Sequence, residues 1–188
     1  DTEILDKLED TDDARVSFLH DQLSEIKKTL NEKGGDLRVF YGKPVEVFKQ
    51  LVQEYEVQAV YTNRDYEPYA LTRDRNVQSF LSEYTIEFNT YKDHVIFEGD
   101  EVLKDDGTPY VVYTPYSKKW LAQFDDSCCQ EAPSLQKLDR LLKVQVPDQL
   151  ITLEEMGFAP SSIQVPPTYI NPEIIDYYGE RRDFPAVE

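Results

Sequence analysis

The chain is short of basic residues, cysteine, histidine and long apolar runs, and each shortage closes off a class of function. Its 188 residues carry 20 Lys and Arg against 37 Asp and Glu, a net charge of −17. A field of that sign repels phosphate polyanions, so this chain by itself is expected to bind DNA poorly. No apolar stretch approaches the roughly 20 residues that cross a bilayer, and no basic start followed by an apolar middle opens the chain. A soluble, cytoplasmic protein without membrane contact is the expectation. The two cysteines, Cys128 and Cys129, are adjacent, which supplies neither a disulfide framework nor the spaced pairs of a zinc site. They read as reduced and incidental. His20 and His94 lie far apart without metal-type spacing, so no metal centre is expected. Internal repeats and low-complexity tracts are also missing.

What is present is enough for one sizeable core, with 40% hydrophobic and 12% aromatic residues. The segment Tyr61 to Asp74, Tyr-Thr-Asn-Arg-Asp-Tyr-Glu-Pro-Tyr-Ala-Leu-Thr-Arg-Asp, organises the rest. Val57, Ala59, Val60 and Tyr61 lead into it as a buried strand, and Pro68 ends extended pairing. Leu71, Val77, Phe80, Leu81 and Tyr84 then recur at helical spacing. In an open α/β sheet, ligands sit beyond the carboxyl ends of the strands, which places Asn63, Arg64, Asp65 and Glu67 where a pocket is expected.

The rest of the chain repeats this pattern. Thr11, Asp12 or Asp13 caps a long helix with Val16, Leu19, Leu23, Ile26 and Leu30 on one face, closed by Gly34 and Gly35. Leu37, Val39, Phe40 and Tyr41 read as a strand; Gly42-Lys43-Pro44 is a turn, and Val45, Phe48, Leu51, Val52 and Tyr55 form a second amphipathic face. Thr85 to Tyr91 alternates as an edge strand. Strands alternating with helices imply a doubly wound α/β fold with a parallel sheet and helices on both faces. Beyond His94 the pattern changes: Tyr110 to Tyr113 is strand-like, Ser117 to Phe124 reads as a short helix bearing Trp120, and the proline-rich 125–171 reads as an irregular connector. A helical signal follows around Ile174, Ile175 and Tyr178.

Four segments, in order, resemble the DNA photolyase and cryptochrome family. They are Gly42-Lys43-Pro44, the Asn63-Arg64-Asp65-Tyr66-Glu67-Pro68-Tyr69 segment with Arg73-Asp74, the run from Gly107 to Tyr116 with Lys119-Trp120, and Arg182-Asp183-Phe184-Pro185-Ala186-Val187-Glu188. The resemblance implies the family's N-terminal, Rossmann-like antenna domain over 1–124, an inter-domain connector over 125–171, and the start of the FAD-binding helical domain over 172–188. The family's opening strand, helix and second strand do not precede Asp1, so strands near Leu37 and Val60 are expected to lack a neighbour between them. Their missing partners are expected to come from polypeptide outside these residues or from another chain. For the whole protein the resemblance implies light-driven repair of cyclobutane pyrimidine dimers, with reduced FAD as electron donor, and the helical domain as partner and sole route to DNA. A cryptochrome-type signalling flavoprotein is the alternative within the family, and a generic nucleotide-binding module the one outside it.

In members that use a folate antenna, an Asn-Glu pair contacts the pterin; Tyr69 and Ala70 stand in the matching positions and supply no carboxylate. A folate antenna is therefore disfavoured, leaving a flavin, a deazaflavin or none. The candidate cofactor residues are Gly42, Lys43, Asn63, Arg64, Asp65 and Glu67, and no catalytic residue is expected in this chain. Each has a second reading. Asp65 and Glu67 suit helix capping with ion pairs to Arg64 and Arg73, then ligand acceptance, and last acid–base chemistry, since no nucleophile accompanies them. Asn63 either meets a ligand or closes its own turn, and Lys43 is either a phosphate contact or an exposed turn lysine.

Overall fold

A computed structural model of the chain describes residues 1–142, 149–163, 165, 169 and 171–183. A short helix α1 (Thr2–Leu5) precedes the long α2 (Ala14–Glu32), α3 (Pro44–Glu54), strand β1 (Ala59–Asn63), α4 (Pro68–Glu83), strand β2 (Glu87–Tyr91) and α5 (Tyr113–Gln123). Two 3₁₀ turns, Asp126–Cys129 and Ser134–Arg140, and two short helices, α6 (Pro172–Asp176) and α7 (Tyr178–Arg181), follow. Within 125–171 the two 3₁₀ turns are the regular elements among the described residues. The terminal motif's last five residues, 184–188, and Pro147, Pro166 and Pro167 lie outside the described residues.

Local chemistry sets the helix limits. At the start of α2, Asp13 Oδ1 accepts the Arg15 amide at 2.8 Å, satisfying a donor that the first turn leaves open. Gly34, at φ 79°, ends the helix as the Gly35 amide reaches back to Leu30 O at 2.9 Å. Proline occupies the first turn of both α3 and α4, where its missing N–H costs nothing.

β1 and β2 pair in parallel, with Val60 opposite Phe88 and Asn63 opposite Tyr91. The crossover is α4, whose Val77 and Leu81 are buried with Ile86, and Val45, Phe48, Val52, Val57, Val60, Phe80 and Phe88 pack around them. Among the described residues, the packing of α4 covers one face of these two strands. On the other, Tyr61 and Tyr91 stack at 6.2 Å and stay largely exposed.

Among the described residues, the strand expected at 37–41 does not form. These residues are half-buried and carry no strand pairing there, and the backbone groups of 38–41 have no hydrogen-bond partner among the described residues. A strand is defined by its neighbour, and among the described residues the outer edge of β1 is likewise unpaired, so neither supplies the other's ladder. A cavity of about 300 Å³ lies against this segment, walled by Val39 and Tyr41, by Leu5, by Val16 and Leu23 of α2, and by Met156. Leu19 and Ile26, predicted on the apolar face of α2, are consequently about half exposed. The strand expected at Tyr110 to Tyr113 is also absent: Leu103 and Pro109 make an isolated antiparallel bridge, and Tyr113 already starts α5.

Candidate functional site

The loop between β1 and α4 begins at the carboxyl end of a strand, as the sequence predicts, but its side chains diverge. Asn63 is exposed on the uncovered face of the sheet. Asp65 Oδ1 accepts the Glu67 amide at 3.0 Å, closing the turn into α4. Glu67 is the helix's capping residue by position, yet its side chain makes no cap hydrogen bond. The ion pairs expected from Asp65 and Glu67 to Arg64 and Arg73 do not form: Arg73 pairs with Asp74 at 2.8 Å, and Arg64 reaches Glu98. The neighbour in sequence loses to a carboxylate better placed in space.

Arg64 commits four of its five N–H donors within the protein. Its Nη1 donates to both Glu98 oxygens at 2.6 Å, Nε to Thr90 Oγ1 at 3.1 Å and Nη2 to Thr90 O at 3.2 Å. Tyr66 OH adds a bond to the same carboxylate at 3.2 Å. The hydrogen bonds Arg64 donates to Glu98 raise its pKa further above its usual range. A guanidinium used this way binds loop to strand, and none of those donors is left for a ligand.

The Gly-Lys-Pro turn sits near the start of the chain. Gly42 has φ 155°, a conformation that L side chains rarely adopt, and its carbonyl accepts the Thr2 amide at 3.3 Å. Lys43 is exposed and pairs with Glu3 at 3.2 Å. Asp1 also reaches this end of the molecule, where its carboxylate accepts the Tyr69 hydroxyl at 2.6 Å. Burial pushes the Tyr69 phenol up and the Asp1 amine down. Ala70 is buried at 2% exposure, so neither residue offers a carboxylate to a ligand.

A cavity of about 330 Å³ runs beside β1, lined chiefly by Phe48, Val60, Val77 and Phe88, with Asp1 and the Arg73–Asp74 pair among its polar walls. Gly42, Lys43, Asn63, Arg64, Asp65 and Glu67 do not line it. The structure thus gathers the six residues at one end of the molecule without closing them round one pocket. Sequence reasoning missed Glu98 and Thr90 as partners of Arg64 and Asp1 as partner of Tyr69. No periodic pattern connects positions 34, 26 and 68 residues apart.

Among the described residues no group of three or more His, Cys, Asp or Glu suits a metal, and no helix is long and apolar enough to cross a membrane. His20 Nε2 lies 3.0 Å from Ile151 O, His94 is exposed, and Cys128 and Cys129 are exposed thiols.

Comparison with known proteins decides the family: the DNA photolyase family matches residues 2–137. This chain belongs to that family. Over 110 residues it is 36% identical to a deoxyribodipyrimidine photo-lyase of Synechococcus, an alignment covering 58% of this chain and 23% of the relative. A deoxyribodipyrimidine photo-lyase of Alkalihalophilus pseudofirmus is 35% identical over 126 residues, covering 66% of this chain and 25% of the relative. The photolyase-family chain therefore spans about a quarter of the length of these two relatives. A class III photolyase from Agrobacterium tumefaciens, at 23% identity and a TM-score of 0.55, covers 64% of this chain and 25% of its own, and shares the Rossmann-like fold.

Proposed function

We propose that these residues are the antenna-side α/β domain of an FAD-dependent, light-driven DNA photolyase that repairs cyclobutane pyrimidine dimers. The observation that carries this reading is the family match over residues 2–137, joined to the 36% and 35% identities with two deoxyribodipyrimidine photo-lyases. The net charge of −17 supports a division of labour in which DNA is met by other parts of the protein. The FAD-binding helical domain is the partner that would supply both the flavin and the lesion site.

Within this chain, the carboxyl end of the strands is the seat we assign to a second chromophore. Asn63, Asp65, Glu67 and the Gly42-Lys43 turn are the candidate contacts near it, while Arg64 braces the wall through Glu98. A folate is disfavoured because Tyr69 is bonded to Asp1 and Ala70 is buried, which favours a flavin or deazaflavin if a second chromophore is held. The test is repair of a dimer-containing oligonucleotide by the full-length protein under blue light. Repair that depends on light and flavin is the expected result. Stoichiometric flavin with no repair would instead favour a cryptochrome-type signalling role.

A further inference from the structure

We propose that Arg64 is a positioning residue for α5, acting through the 92–101 loop, which joins the carboxyl end of β1 to that helix as one bridge. At Glu98 the loop is held to β1 through Arg64, whose Nη1 donates to both carboxylate oxygens, a contact Tyr66 reinforces. Residues on either side of Glu98 meet α5: Phe97 packs edge-on against Trp120 at 5.3 Å, and Gln123 donates to Glu101 O at 3.2 Å. Internal bonds stiffen the loop. Lys92 donates to Ile96 O at 3.0 Å and to Glu101 Oε1 at 2.7 Å, and the Glu98 amide donates to Glu101. Glu101 is held below the usual carboxylate range chiefly by Lys92, so these contacts persist across neutral pH.

The helix at the far end depends on this loop. No residue of α5 is buried. Among the described residues, its hydrogen bonds, ion pairs and ring contacts beyond its own caps go to Phe97, Glu101, Asp105 and Tyr110. Among the described residues no hydrogen bond, ion pair or ring contact joins α5 directly to the sheet, so its placement is inherited from the loop, whose polar anchor on the strands is Glu98. Val102, buried at 4% exposure, gives the loop an apolar seat as well, so removing the anchor loosens the bridge without unfolding it.

Because Trp120 and Gln123 meet this bridge, the strand-end crevice and α5 move together. Coupling of this kind travels through packed side chains and ion pairs with a defined arrangement. It differs from ligand contact, the role the sequence offered for Arg64, and it does not depend on which chromophore is bound.

The experiment is amide hydrogen exchange on the protein and its Arg64→Met, Arg64→Lys and Glu98→Gln variants. In Arg64→Met, amides of 114–123 should exchange about tenfold faster while those of 70–83 keep their wild-type rates. Glu98→Gln should shift the same amides by less, and Arg64→Lys, which keeps the charge facing Glu98, should recover most of the protection. Unchanged exchange in α5, or equal acceleration across α4 and α5, would overturn the proposal, the second result marking Arg64 as a staple of overall stability. If Arg64→Met does not fold, the same two criteria applied to Glu98→Gln decide.

Discussion

Residues 37–41, Leu-Arg-Val-Phe-Tyr, and 59–63, Ala-Val-Tyr-Thr-Asn, are two short extended stretches with opposite outcomes. By intrinsic preference the first is the better strand, with its β-branched and aromatic residues and its bulky leucine. Only the second is one. It has β2 as neighbour, α4 as crossover and a core of Val77, Leu81 and Ile86 beneath it. The first has half-buried side chains, a backbone at 38–41 without partners among the described residues, and a cavity of about 300 Å³ at its flank. Pairing and coverage make a strand, and propensity only permits one.

The sharpest way to break that comparison is to damage each half equally. Leu81 is fully buried, and Leu81→Ala should cost about 2–5 kcal/mol through lost transfer energy and the cavity left behind. Val39→Ala, beside an existing cavity, should cost about 1 kcal/mol or less, because its neighbours already leave space. Urea midpoints of the two variants decide the matter, and equal losses would mean that the open half packs as tightly as the closed one.

Backbone protection sharpens it further. In these 188 residues, amides in the β1–β2 ladder should exchange about a hundredfold more slowly than those of 38–41, which lack partners among the described residues. Equal protection would show that 38–41 is paired in solution.

A smaller effect is expected at the start of α2. Asp13 is held at about 2, below its ordinary 3.8, first by the hydrogen bond from the Arg15 side chain. The folded value is the lower one, so the stabilisation is present above the ordinary value and fades as pH falls from about 4 through 2. Arg15 is largely exposed, so the ion pair itself adds little. Circular dichroism of wild type against Asp13→Asn should show an acid-dependent loss of helicity in that window that the variant lacks. Asp13→Ala should cost about 1 kcal/mol from the lost cap.

The smallest change expected is a gain. Thr85 links α4 to β2 at φ 59°, an unfavourable region for a β-branched residue, and Thr85→Gly should raise stability by about 0.5–1 kcal/mol. A lowered melting temperature would show that the threonine side chain contributes more than its backbone strain costs.

What the sequence made legible follows the same division. The spans of α2, α3 and α4 were readable because periodicity, proline and glycine are local signals, and the Tyr61–Asp74 segment does resolve into strand, turn and helix. The fate of 37–41 was not, because a ladder partner is a non-local fact. Val111 and Val112 read as strand for the same reason, although Tyr113 opens a helix and both valines are exposed. In the crevice, Asp65 closes the turn by accepting the Glu67 amide, and Arg64, a candidate cofactor residue from the sequence, meets Glu98 in a loop without periodic pattern. Long-range charge pairing leaves no trace in spacing.

The most direct test of the functional account is the near-ultraviolet and visible spectrum of the purified full-length protein. Flavin absorption without a folate band is the predicted result, consistent with Tyr69 held by Asp1 and Ala70 buried. Stoichiometric folate would contradict the assignment of the antenna seat, and a protein that carries no flavin at all would contradict the photolyase reading itself.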